Sequence, residues 1–284
     1  MYKKIVLDYF NARVAGLEQF CSLALERKEP EGIHQLRVEN KRLKAFFCLL
    51  ESINPALEAK KYFSGFRQLS KSGAAERDAF VQLELLNELT ADNRELELPG
   101  YREFIRQLEE TGWNVFQQTA AAIKFQDFYK KAEAIDRALR NVTQKRAESR
   151  AMRRFEAMCN LLAGLKSSRS AADQVFHQIR IVSKEAYFTY QIIQNCFSSY
   201  IEEEGKEPAL FLKQTHQLLG RWHDCEICRS CLKEYWASPP KISDQPGLEA
   251  MRGIILERKE RLKEEFIKLD PEFKAPFRSV HRMS

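Results

Sequence analysis

The chain repeats itself. The nonapeptide Ile33-His34-Gln35-Leu36-Arg37-Val38-Glu39-Asn40-Lys41 returns 143 residues later as Phe176-His177-Gln178-Ile179-Arg180-Ile181-Val182-Ser183-Lys184. His, Gln, Arg and Lys are identical in the two copies, and the apolar positions stay apolar. A second echo sets Ala74-Ala75-Glu76-Arg77-Asp78 against Gly220-Arg221-Trp222-His223-Asp224, now at an offset of 146, which implies three extra loop residues in the second half. A chain with internal self-similarity on this scale is built from duplicated supersecondary units that bury their apolar faces on one another.

The period of the apolar residues gives the secondary structure. Spacings of three and four predict helices over Ile5–Leu25, Ile33–Leu50, Leu57–Leu69 and Phe80–Leu89. The breaks fall at Pro30 and Gly32, at Asn54-Pro55 and at Ser72-Gly73. Ala91–Gly100 loses the period and reads as a linker. Two or more long helices follow over Tyr101–Leu165, the later part rich in Lys and Arg from Lys130 to Arg154. Further helices are expected at Ala172–Ser198, Pro208–Gly220, His223–Trp236 and Leu248–Leu269, with Ser238-Pro239-Pro240 as a loop. With 11 Gly and 9 Pro against 30% charged residues, and no strand-like alternation, the fold class is all-α. The division expected is a first helical repeat over 1–100, basic middle helices over 101–170 and a second helical repeat over 171–284.

Length and charge narrow the class further. A chain of 284 residues that is 44% apolar can bury a large core. Asp8, Asn11 and Arg13 interrupt the N-terminal apolar patch before a signal-peptide core forms, and the longest apolar run, Ala45–Leu50, is far too short to span a bilayer. Seven Cys, an odd number, suit reduced thiols, so a cytoplasmic protein without membrane attachment is expected. The net charge of +6 hints at an anionic partner.

On a helix the repeated motif sorts its residues onto two faces. His34, Arg37, Lys41 and Lys44 share one stripe, while Leu36, Leu43, Phe46, Phe47 and Leu50 share the opposite side. In the second copy His177, Arg180 and Lys184 continue into Tyr187 and Gln191, with Ile179, Val182, Ala186, Tyr190 and Ile193 facing inward. Solvated faces gain from mixing signs at i,i+4, and like charges there cost a few tenths of a kcal/mol. Neither stripe contains a carboxylate, so an external anion is the expected compensation. Arg and Lys bind phosphate oxygens through charge-assisted hydrogen bonds, among the stronger available.

The block His34-Gln35-Leu36-Arg37-Val38-Glu39-Asn40-Lys41-Arg42-Leu43-Lys44-Ala45, its second copy and the Gly-x-x-His-Asp echo at Gly220–Asp224 closely resemble the CHAD family, the conserved histidine α-helical domain. The resemblance treats residues 1–284 as a single domain. It implies two four-helix-bundle-like repeats related by pseudo-twofold symmetry around a central basic channel, and non-catalytic binding of inorganic polyphosphate. It carries a phosphate-contacting role onto His34, Arg37, Lys41, Arg42, Lys44, His177, Arg180 and Lys184, and also onto Arg77, Arg150, Arg153 and His223. Partners would be inorganic polyphosphate or another phosphate-rich polyanion, polyphosphate granules included, with no cofactor. The second copy departs from the motif where Glu185 replaces Arg42 and Phe188-Thr189 replace the later positions, which leaves one side less cationic.

Other chemistry is outweighed. Cys225, Cys228 and Cys231 lie on one helical face with His216 and His223 near, a pattern open to Zn or an iron–sulfur cluster, yet a single helix cannot close four ligands on one ion and Cys packs readily as a small apolar residue. Glu202, Glu204 and Lys206 form a Glu-x-Glu-x-Lys string like that of triphosphate-tunnel enzymes, but in a helix-to-helix connection with no strands around it. No phosphate loop, metal-binding carboxylate pair or nucleophile–base spacing points to catalysis. Nucleic acid remains the alternative polyanion, although base-stacking aromatics are absent from the first stripe and Tyr187 alone represents them on the second.

Overall fold

A computed structural model describes residues 1–26, 31–92, 96, 98–167, 172–197, 206–237 and 245–269. Among these the regular structure is helical: α1 (Tyr2–Leu25), α2 (Gly32–Ile53), α3 (Ala59–Tyr62), α4 (Ser64–Ser72), α5 (Ala74–Asp92), α6 (Pro99–Ala121), α7 (Phe125–Tyr129), α8 (Lys131–Leu139), α9 (Gln144–Ser167), α10 (Asp173–Cys196), α11 (Lys206–Ala237) and α12 (Gln245–Lys268). The all-α reading holds. Among the described residues no helix is long and apolar enough to cross a membrane.

Several boundaries differ from the sequence reading. Leu57–Leu69 is split into α3 and α4 around Phe63. Pro208–Gly220 and His223–Trp236 are one continuous helix, α11. Gly220 does not break it, because Leu218, Leu219, Trp222 and Cys225 are buried on both sides of that position, and burial of this order exceeds the ~1 kcal/mol a helical glycine costs. The linker expected over Ala91–Gly100 is shortened from both ends by α5 and α6. Pro30, Glu202, Glu204 and the Ser238-Pro239-Pro240 loop lie outside the described residues.

Helices at corresponding offsets from the two motif copies have similar lengths. α1 and α9 are each 24 residues, α2 and α10 are 22 and 24, and α6 and α12 are 23 and 24. On the same alignment α11 matches the run α3 to α5, and α7 and α8 fall between the copies. The chain forms two compact units that cut across this order. The first unit takes residues 1–70 and 122–216, the second 71–121 and 217–269, so each draws on both halves of the sequence.

In the first unit α1 packs on α2 and α9 packs on α10, and the two hairpins meet through α2 against α10 and α9. The inward faces largely follow the periodicity: Leu36, Leu43, Phe46, Phe47 and Leu50 on α2, and Ile179, Ala186, Tyr190 and Ile193 on α10, are buried, whereas Val182, expected inward, is only half-buried. Phe10, Phe46, Phe47 and Phe66 form a connected aromatic cluster, with Phe10 to Phe46 centroids 5.9 Å apart and Phe46 against Phe47 edge-on at 5.7 Å. α2 ends where Pro55 forces Asn54 into extended backbone (φ −141°, ψ 107°). Its start is fixed by contact with α1: a Cβ on Gly32 would sit 2.9 Å from the Ala24 nitrogen.

In the second unit α5 packs on α6, where a Cβ on Gly112 would come within 2.4 Å of the Glu76 nitrogen. Tyr101 of α6 meets Tyr235 of α11 at 5.4 Å, and Lys259 of α12, itself buried, pairs with Glu226 of α11 and lies 5.7 Å over the Trp222 ring.

Truncating Phe47 to Ala removes a fully buried ring from the first-unit cluster, and the expected cost is about 3–5 kcal/mol. Urea unfolding followed by far-UV circular dichroism measures it; a cost under about 1 kcal/mol would place the cluster outside the structural core.

Candidate functional site

The cations of the two motif copies converge within the first unit. Arg37 and Lys41 project from α2, Arg180 and Lys184 from α10, and all four are half-buried. Lys184 carries the consequence. Burial, then the charges of Lys41, Arg180 and Arg37, together with a hydrogen bond to the Lys41 side chain, push its pKa down to about 6. The magnitudes explain why. Two unit charges about 4 Å apart repel by about 4 kcal/mol at an effective dielectric of 20. Deprotonating an ordinary lysine at pH 7 costs about 4–5 kcal/mol. Burial and three cationic neighbours therefore act together to favour the neutral amine.

His216 of α11 joins the same cluster. Its ring stacks on Tyr187 at 6.1 Å with an interplanar angle of 15°. Burial and then Lys184, Lys41 and Arg180 push its pKa down to about 4. The sequence offered His216 only as a metal candidate. The repeat could have placed it: at the offset of 146, His216 is the counterpart of Ser70, whose carbonyl accepts a hydrogen bond from Arg37 Nη1 at 3.0 Å.

The remaining assigned residues divide into groups. His34 lies near the start of α2 with Nε2 3.5 Å from Glu31 Oε1, and His177 is exposed near the start of α10. Lys44 is exposed one turn beyond Lys41. Arg42 turns instead to the buried Glu39 (2.5 Å), which also binds Arg13 at 3.1 Å, so that carboxylate ties α2 to α1. Glu185, the residue that replaces Arg42 in the second copy, pairs with Arg154 of α9 at 2.5 Å and ties the other hairpin. Arg150 of α9 donates to the Ile53 carbonyl at the end of α2, and with Arg153, Arg154, Ser52, Met158 and Leu161 lines an open pocket of about 620 Å³. Arg77 and His223 belong to the second unit. There Arg77 lies 4.9 Å over the Phe80 ring, and Gln82 Nε2 donates to the Asp224 carbonyl at 3.4 Å.

The cysteine stripe is packing. Cys225 and Cys228 are buried, and burial pushes the Cys228 thiol up to about 12 and the Cys231 thiol up to about 11. Among the described residues no group of three or more His, Cys, Asp or Glu is placed to hold a metal ion.

A family profile described as the CHAD domain matches residues 8–233. The chain belongs to the CHAD family. No curated protein sequence matches it. Among solved structures it is similar to the CHAD domain from the plant Ricinus communis, at 16% identity and a TM-score of 0.71 over 99% of this chain and 92% of that one. It is also similar to PptA from Streptomyces chartreusis, at 14% identity and a TM-score of 0.68 over 97% of this chain and 99% of that one. At these identities the likeness is one of fold. Within this CHAD domain the motif's basic positions fall into two groups: Arg37, Lys41, Arg180 and Lys184 gather in one cluster, while Arg42 is held by a carboxylate.

The cleft predicts an unusual pH dependence of stability. The folded state holds Lys184 near 6 while the unfolded chain titrates near 10.4. The unfolded chain therefore binds more protons between these values, and this residue costs the fold stability that is regained as pH rises through the window. Lys184→Met should melt several degrees above the parent at pH 6 in phosphate-free buffer, with the gap closing toward pH 10. A variant no more stable than the parent at pH 6 would refute the crowding of charge.

Proposed function

We propose that this CHAD domain binds inorganic polyphosphate, or a comparable phosphate-rich polyanion, in the first-unit cleft lined by α2, α10 and α11, without chemical turnover. One observation carries the reading: equivalent cations from two motif copies are brought together around Lys184, whose pKa is pushed down by burial and then by the charges of Lys41, Arg180 and Arg37. A phosphate chain supplies the missing negative charge. It accepts hydrogen bonds from Arg37, Lys41 and Arg180, and its field draws Lys184 and His216 back toward their charged forms.

The cleft suits a polymer better than a single phosphate. Successive cations on each helix are one turn apart, about 4.5–6 Å along the axis, and two rows present them together. Serial contacts and counterion release then set the affinity. His34, His177 and Lys44 extend the rows, and Arg150 and Arg153 add cations on α9. Membership of the CHAD family supports the same ligand class. Nucleic acid is the competing polyanion, but the aromatic at the cleft, Tyr187, is already stacked on His216.

The double variant Arg37→Glu, Arg180→Glu should lose at least a hundredfold in polyphosphate affinity by calorimetry while keeping its far-UV spectrum. Parent binding should weaken linearly on a plot of log affinity against log salt. Full affinity in the double variant would refute the site, and an oligonucleotide that displaces polyphosphate at equal charge would replace the ligand.

A further inference from the structure

The second unit carries a pocket of its own. It has a volume of about 700 Å³ and is lined by the last turns of α11 and the N-terminal half of α12. Leu232 and Leu248 are its buried apolar residues, and Arg229, Lys233 and Trp236 from α11 and Arg252 from α12 line it from exposed positions. Its described lining holds three cations and no carboxylate. Every one of these residues falls within 217–269, so the pocket shares none with the cation cluster of the first unit.

Three features set it apart from a solvated helix face. Trp236 is 44% exposed, whereas Trp113 and Trp222 are buried. Among the described residues Lys233, Arg252 and Trp236 have no hydrogen-bond, ion-pair or ring partner. Arg229 reaches Glu226 at 3.3 Å, but that carboxylate also engages the buried Lys259, and a guanidinium keeps donors for a second partner. The duplication supplies the third. At the offset of 146, Lys233 stands where the first half has Asn87, whose Oδ1 accepts a hydrogen bond from Arg102 Nη1 of α6 at 2.5 Å. A lysine cannot accept that bond, and the tie between the paired helices is not remade in the second copy.

Charge and shape together select a ligand. Arg229 and Lys233 are one helical turn apart and Trp236 is nearly one turn further, so two cations and an indole extend over about 10 Å of α11, with a third cation supplied by α12. A bare phosphate chain gains nothing from the indole, and an apolar molecule leaves the cations without counter-charge. We propose that this pocket binds a nucleoside polyphosphate: the nucleobase stacks on Trp236, and the phosphates accept hydrogen bonds from Arg229, Lys233 and Arg252. The volume is in the ordinary range for small-ligand sites. This site is independent of the polyphosphate site of the first unit.

The test titrates the full chain with ATP in magnesium-free buffer and follows indole emission. All three tryptophans belong to the second unit, so quenching reports on that unit. ATP should quench saturably, and Arg252→Glu, checked for fold by circular dichroism, should weaken it about tenfold. Calorimetry on the chain carrying Arg37→Glu and Arg180→Glu should still register ATP, and adding Trp236→Ala there should weaken it by about tenfold, the usual loss of one stacked base. Tripolyphosphate, which has no base, should displace ATP only at about tenfold higher concentration. ATP affinity that survives both Trp236→Ala and Arg252→Glu overturns the proposal, as does an absence of saturable quenching. Displacement by tripolyphosphate at equal concentration also overturns it, because the pocket would then read charge alone. Loss of ATP binding on Arg37→Glu with Arg180→Glu would assign the nucleotide to the first unit and overturn this site while leaving the polyphosphate reading intact.

Discussion

Two copies of one helix meet with the same charged side chains facing each other, so like charge is set against like charge by the duplication itself. Arg37 answers Arg180 and Lys41 answers Lys184 at the same offset, and on α2 and α10 the four converge. Such a contact is unfavourable by several kcal/mol if every group stays charged. The fold tolerates it because the opposite faces of the same helices bury Phe46, Phe47 and Leu50 on one side and Ile179, Tyr190 and Ile193 on the other. A ligand that binds only the folded state and relieves the repulsion stabilises the protein in proportion to its affinity.

The carboxylates near the motif sharpen this division. Glu39 gathers Arg13 and Arg42, and Glu185 takes Arg154, so each hairpin of the first unit has one acid that ties its two helices. In the first copy the acid sits on α2 and draws one arginine from α2 and one from α1. In the second the acid sits at the place equivalent to Arg42 and draws an arginine from α9. The residue that looks like a loss of cationic charge in the sequence, Glu185, is one half of an ion pair across the second hairpin. Removing a partner from such a half-buried pair leaves a charge uncompensated.

The all-α class, the inward faces of α2 and α10 and the four converging cations were legible in the sequence, because the helical period and the repeat both encode which side of a helix meets its copy. Three things were not. The continuity of α11 through Gly220 depends on buried residues on either side of it, which outweigh a local propensity. The role of Arg42 depends on Glu39, which lies off the cationic stripe yet is within reach three residues away. The place of His216 depends on α11 packing beside α10, a tertiary fact that single-helix faces do not carry, although the offset from Ser70 held the clue. The compact units likewise follow matched segments from both halves, their boundaries at 70 and 216 being separated by the offset of the second echo.

Proton uptake on binding tests the central claim most directly. Calorimetric titration of the protein with polyphosphate at pH 7.5, repeated in buffers of different ionisation enthalpy, gives the number of protons exchanged. A cluster in which burial and neighbouring cations keep Lys184 neutral takes up close to one proton per site as the ligand restores its charge. Zero exchange, or net release, would mean that the cations never competed with one another, and the account would fail.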